Sequence, residues 1–206
     1  FIFVGKTTKA IPVAISQAAL NFDKKLQNYL RQGYAAGAAL GFIGNAIGFV
    51  MTIYRKLAAS SVAAIHNALI NRRTRLEGEA NGGFAIKDLE EMDQRFLGEW
   101  EELLGTEAKE FFEGEIELLS ELIDEAQQLK NDDMKIQQFM DSLVESILSG
   151  DTDKKILIFT EYRTTQNYLK DALESRFGEG SVELINGSMK HQLRRDAISS
   201  FEADAQ

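Results

Sequence analysis

Gly5-Lys6-Thr7-Thr8 ends on residue types that hold a phosphate. In the run GxxxxGK[ST] a glycine-rich loop turns its backbone N–H groups toward the phosphate, the lysine adds charge, and the hydroxyl reaches magnesium. Only four residues precede Gly5, so the earlier glycine and its spacer lie outside this sequence and the nest is incomplete. His66 sits inside a helical pattern with no second histidine near it, and metal ligation needs several donors, so it reads as a packed or surface histidine. Carboxylates crowd residues 77–133, but a pair such as Glu113 and Glu117 reads as a solvated helix face, because no HExxH unit or histidine-containing cluster accompanies it. The absence of cysteine removes both a thiolate nucleophile and a disulfide framework.

The elements that must position any such chemistry are mostly helical. Of 206 residues, 44% are apolar, 27% are charged and one is proline, a composition of folded, helix-rich chains. The net charge of -9 is unevenly spread: residues 1–76 hold ten basic and one acidic residue, while residues 77–133 hold four basic and nineteen acidic. The first segment is suited to face phosphate and the second is not. Phe1-Ile2-Phe3-Val4 has neither an initiator methionine nor the order of a signal peptide, so the chain is expected to begin inside a longer polypeptide, with a cytoplasmic setting.

Ala18, Ala19, Phe22, Leu26, Tyr29 and Leu30 recur at helical spacing, and Pro12 makes the apolar run before them an edge or irregular strand at best. Residues 32–54 carry no charge, which is long enough to span a bilayer, and Gly37/Gly41 and Gly44/Gly48 have the spacing of membrane helix pairs. Alanine and glycine supply much of that stretch, and Gln32 and Asn45 would need partners in lipid, so a helix, an interruption near Gly44 and a second buried helix are expected instead. Val50, Ile53, Leu57, Val62, Ile65, Leu69 and Leu76 continue the helical pattern, with a junction at Ser60-Ser61, where serine can cap. A polar loop follows near residues 77–87, and then further helices through Leu89, Met92, Phe96, Trp100, Leu103, Phe112, Ile116, Leu119 and Ile123.

The pattern changes after Lys154-Lys155. Ile156-Leu157-Ile158-Phe159 and Val182-Glu183-Leu184-Ile185 read as strands, each followed by an amphipathic helix. The β-α-β-α order predicts a parallel sheet whose loops share one rim, so the fold class expected is α/β: a partial sheet at residues 150–206 behind a large helical region. Two strands are too few to cover both helices, and further chain beyond Gln206 is expected.

Residues 155–162, KILIFTEY, resemble helicase motif IV, and Asn186-Gly187-Ser188 with Arg194 or Arg195 and Phe201 resembles the block after it. Lys6 to Val13, residues 48–61 and Asp133 to Phe139 resemble connecting segments of the same proteins. On these runs the chain resembles the bacterial branch of Swi2/Snf2-type (superfamily 2) helicase-like ATPases, which includes the RNA-polymerase-associated and phage-defence helicases. The resemblance implies an arrangement of three parts: residues 1–15 leaving a first motor lobe, 16–149 a helical inter-lobe region, and 150–206 an incomplete second RecA-like lobe. It also implies a parent that uses ATP and Mg to move along DNA, or else RNA, with this piece lacking a complete ATPase site. Thr160, Glu161, Tyr162 and Arg163, with Asn186, Gly187, Ser188 and Lys190, would then face the nucleic acid and hold its phosphates and sugars without reading bases. Two other classes stand beside the motor: a helical interaction or adaptor module whose acidic residues 99–133 meet a protein partner, and a membrane-associated helical protein.

Overall fold

The computed structural model describes residues 10–38, 41–77, 110–143 and 155–203. The phosphate-loop imitation at Gly5, the polar loop after Glu77 and the helical pattern from Leu89 to Leu103 lie outside them. Seven helices form among the described residues: α1 (Gln17–Ala38), α2 (Gly41–Ser60), α3 (Val62–Leu76), α4 (Glu115–Asn131), α5 (Met134–Leu143), α6 (Arg163–Phe177) and α7 (His191–Glu202).

Ser16 starts α1 by accepting the Ala19 N–H at 3.1 Å. Phe22, Leu26, Tyr29, Leu30, Gly33 and Gly37 then form one buried stripe along it. That stripe meets Ile47, Val50, Met51 and Tyr54 of α2. The two backbones come closest at Gly37 and Gly44, where a Cβ on Gly44 would fall inside the radius of the Gly37 carbonyl oxygen. Within the uncharged run, residues 32–38 and 41–54 thus lie in a tight helical pair, with Gly44 inside α2 and not at an interruption, and among the described residues no helix is long and apolar enough to cross a membrane.

Ser61 separates α2 from α3 and caps the second, its extended backbone letting the side-chain oxygen accept the Ala64 N–H. Ile65 and Leu69 of α3 pack on Leu119, Leu122 and Ala126 of α4. Where these helices meet α1, Glu115 is fully buried, and its carboxylate accepts from Arg72 Nε and Nη2 at 2.9 Å each, from Tyr29 Oη at 2.9 Å, and from the Phe111 N–H. The Arg72 guanidinium lies 3.6 Å from the centroid of the Phe111 ring. Glu115 and Glu117 also stand in the first turn of α4, where the helix dipole favours negative charge.

A smaller cluster joins Met140 and Leu143 of α5 to Leu173 of α6, with Ile156 and Val182 against it. A fully buried leucine or isoleucine contributes about 1.5–3 kcal/mol. The first cluster, with Ile65, Leu69, Leu119 and Leu122 all at 0% exposure, therefore carries most of the stability.

The two runs expected to be parallel strands are not paired. Residues 155–160 and 181–186 join no ladder, and no strand forms among the described residues. The α/β expectation, with its partial RecA-like sheet, is corrected to an all-helical fold. A strand buried on both faces needs cover on both. Here Ile156 and Val182 reach the smaller cluster, while Leu157, Ile158 and Phe159 are 69%, 38% and 90% exposed. An apolar run reports a local preference for extended backbone, whereas a ladder depends on a neighbour that the run itself does not specify.

Gly44→Ala is expected to lower the unfolding free energy by about 3 kcal/mol, since only helix separation relieves the clash. Gly33→Ala meets the flexible Met51 side chain instead and should cost about 1 kcal/mol. Urea denaturation of the two variants measures the contrast.

Glu115→Gln leaves the Arg72 cation buried without its counter-charge, an expected loss of about 3–5 kcal/mol. Adding Arg72→Met should recover part of that loss in the same assay, because the orphaned charge is gone.

His66 is buried on α3 with an unbonded Nδ1, and burial, followed by the charge of Lys130, lowers its pKa from 6.5. Well above pH 6.5 the imidazole is neutral in both states, and its protonation makes no difference to stability. Below it the unfolded chain binds the proton first, so stability falls as the pH drops toward the folded-state value. Denaturation at pH 8 and pH 5 should show a smaller acid loss in His66→Leu than in the parent chain.

Candidate functional site

A groove of about 530 Å³ opens where the end of α2, the starts of α3, α5 and α6, and residues 158–162 meet. Its position follows from local capping. Asp133 begins α5 by accepting the Lys135 and Ile136 N–H groups at 2.9 and 3.1 Å, and its other oxygen takes the Tyr168 hydroxyl at 3.0 Å. Burial first, then the Asp133 charge and that hydrogen bond, push the Tyr168 phenol well above its ordinary pKa, so it stays a donor. Lys135 reaches across to the last carbonyls of α2, donating to Ala59 and Ser60 at 3.0 Å each. A lysine on the free carbonyls of a helix end satisfies acceptors that the helix cannot.

The floor carries a hydroxyl cluster. Thr165 Oγ1 lies 2.8 Å from both Ser60 Oγ and Ser61 Oγ, which ties the first turn of α6 to the α2–α3 junction. No histidine or free carboxylate completes a nucleophile here: Asp133 is held by its cap and by Tyr168, and Glu161 faces Lys56 at 3.7 Å. Ile136, Phe139 and Leu169 add apolar wall, and Ile158 and Phe159 form an exposed lip. Among the described residues no group of three or more histidine, aspartate or glutamate side chains is placed to hold a metal ion. The apolar wall and the hydroxyl floor together can receive a side chain.

The residues expected to face a nucleic acid divide into two places. Thr160, Glu161 and Tyr162 line the groove, and Arg163 opens α6 in a half-buried position. Tyr162 turns its ring into the main core at 2% exposure. Asn186, Gly187 and Ser188 form a turn in which Asn186 Oδ1 accepts the Ser188 N–H and hydroxyl at 3.2 and 2.9 Å, and the Gly187 carbonyl accepts from Arg194 at 2.6 Å. Lys190 is exposed at the N-cap of α7. Gln166 joins the two places, donating to the Ile185 carbonyl at 3.0 Å and meeting Asn186 Nδ2 at 3.4 Å. The turn is therefore near the start of α6 but does not line the groove.

Lys56, Ser60, Lys135, Phe139 and Thr165 were not among the expected site residues. The one local signal was capping, with Asp133 before an amphipathic run and Ser61 before another.

The helicase-like ATPase assignment rested on a second motor lobe built on a parallel sheet. Without a strand among the described residues, the resemblance of residues 155–162 to motif IV does not extend to a RecA-like fold, and the ATP-hydrolase and translocase assignments are corrected with it. No protein-family model, no curated protein and no solved structure matches this chain.

Proposed function

We propose that this chain is a helical protein-interaction module, with the groove and its lip as the contact surface. The observation that carries this reading is Phe159, which stands 90% exposed with Leu157 and Ile158 beside it, at the edge of a groove walled by Ile136, Phe139 and Leu169. Contiguous exposed apolar side chains mark contact sites, and aromatic anchors at such sites carry a large share of binding energy. The acidic segment is less suited to be the main contact. Within its described part Glu115 is buried in the core, and Glu121 and Glu125 hold Lys25. A cytoplasmic setting suits a chain that needs no cysteine.

Selection of a displayed peptide library on the purified chain should enrich sequences with an apolar anchor, of roughly micromolar affinity as for small interfaces. Phe159→Asp, with its circular dichroism unchanged, should weaken those peptides by at least about tenfold. ATP and magnesium should leave the binding as it was. Failure to enrich any sequence, or binding indifferent to Phe159→Asp, would remove the groove as a contact surface.

A further inference from the structure

We propose that residues 155–161 pair antiparallel with the same residues of a second copy of this chain, about a two-fold axis at Ile158. The proposal deepens the interaction-module reading and rests on it.

Three observations lead there. First, residues 156–160 lie in no helix, turn or ladder, and their backbone makes no hydrogen bond to another backbone group among the described residues. An extended segment with free N–H and C=O groups is a template for another strand. Second, side chains alternate along such a segment, so Lys155, Leu157, Phe159 and Glu161 share one face. Leu157 and Phe159, at 69% and 90%, are the most exposed large apolar side chains described.

Third, the segment is complementary to itself in one register. With Ile158 on the axis, Lys155 stands opposite Glu161, and Leu157 opposite Phe159, each pair occurring twice by symmetry. Opposite charges and aromatic–aliphatic pairs are the cross-strand combinations that stabilise antiparallel strands. Moving the register by two residues loses this match: one shift sets Phe159 against Lys155, the other Leu157 against Glu161. Charge and apolar cover therefore select the same alignment, and an isologous pair of this kind closes at two copies.

The present contacts of the two charged residues do not oppose the exchange. Lys155 donates to the carbonyls of Phe201 and Ala203 at an exposed site, and Glu161 meets Lys56 at 3.7 Å with both side chains about half exposed. An exposed ion pair such as Lys56–Glu161 contributes little. Ile156 stays against Met140, Leu143 and Leu173, which holds the segment on the bundle while its outer edge is open.

Sedimentation equilibrium of the full chain over a concentration series, with a charge exchange, tests the register. The parent chain is expected to dimerise. Lys155→Glu sets two Glu–Glu pairs across the axis and Glu161→Lys sets two Lys–Lys pairs, so each variant alone should dimerise at least about tenfold more weakly. Mixed in equal amounts, the two variants form a heterodimer in which both cross-copy pairs are again Glu–Lys, and the parent affinity should return. A defect in folding would not be repaired by mixing. A parent chain that stays monomeric at every concentration, assembly that continues beyond two copies, or a mixture no stronger than its components overturns the proposal. A monomer that still binds peptides through Phe159 leaves the interaction module standing and removes only the second copy as its partner.

Discussion

The buried contact between Arg72 and Glu115 is the constraint around which the main bundle is arranged. Removing a guanidinium and a carboxylate from water costs several kcal/mol per ion, and that cost is offset only when geometry is good and every polar atom is served. Here the carboxylate, at 0% exposure, receives four hydrogen bonds from three parts of the chain: α1 through Tyr29, α3 through Arg72, and the turn before α4 through the Phe111 N–H. The Phe111 ring covers the guanidinium. Sliding either helix by one residue would leave a charged group without partners in the core, a penalty larger than the loss of one apolar contact. The apolar stripes bring α1, α3 and α4 together, and this contact sets how they align.

The same contact bears on the close approach of α1 and α2. Tyr29 must reach Glu115 and also stack on Tyr54, whose ring centroid is 6.2 Å away, which draws α1 close to α2. Gly37 and Gly44 remove the side chains that would keep the two backbones apart. In a lipid setting such glycines serve van der Waals packing between helices. In this bundle they serve the same geometry, with the polar contact of Tyr29, about two turns earlier in α1, fixing its position.

How much of this was legible in the sequence depended on whether the cause was local. Helical periodicity located the stripe through Phe22, Leu26 and Tyr29, and the capping preference of serine located the break at Ser60-Ser61, because both are properties of a few neighbouring residues. Glu113 and Glu117 are exposed, as an acidic helix face suggests, yet Glu115 between them is turned inward. Nothing local separates it from its neighbours; its partner Arg72 is 43 positions away. The groove was hidden for the same reason, since Lys135 finds its carbonyls 76 and 75 residues earlier. Residues 155–160 failed in the opposite direction. Their apolar run states a preference for extended backbone strongly, and the expected sheet required partners that no other described segment supplies.

The lip of the groove is placed by the core, and this joins the two halves of the molecule. Tyr162, at 2% exposure, belongs to the main cluster, while Phe159, three residues earlier, stands in solvent. Thr165, one turn further along α6, is held by Ser60 and Ser61 at the α2–α3 junction. The chain between the lip and the bundle is thus pinned at both a ring and a hydroxyl, so the exposed side chains are displayed on an anchored segment. A free peptide with the same residues would lose backbone entropy of about 1–2 kcal/mol for each residue ordered on binding. Part of that ordering is already present here, because residues 162–165 are fixed before any partner arrives. Apolar side chains held in water at the edge of an ordered groove are costly to a monomer, and the same preorganisation is what makes them effective as a contact.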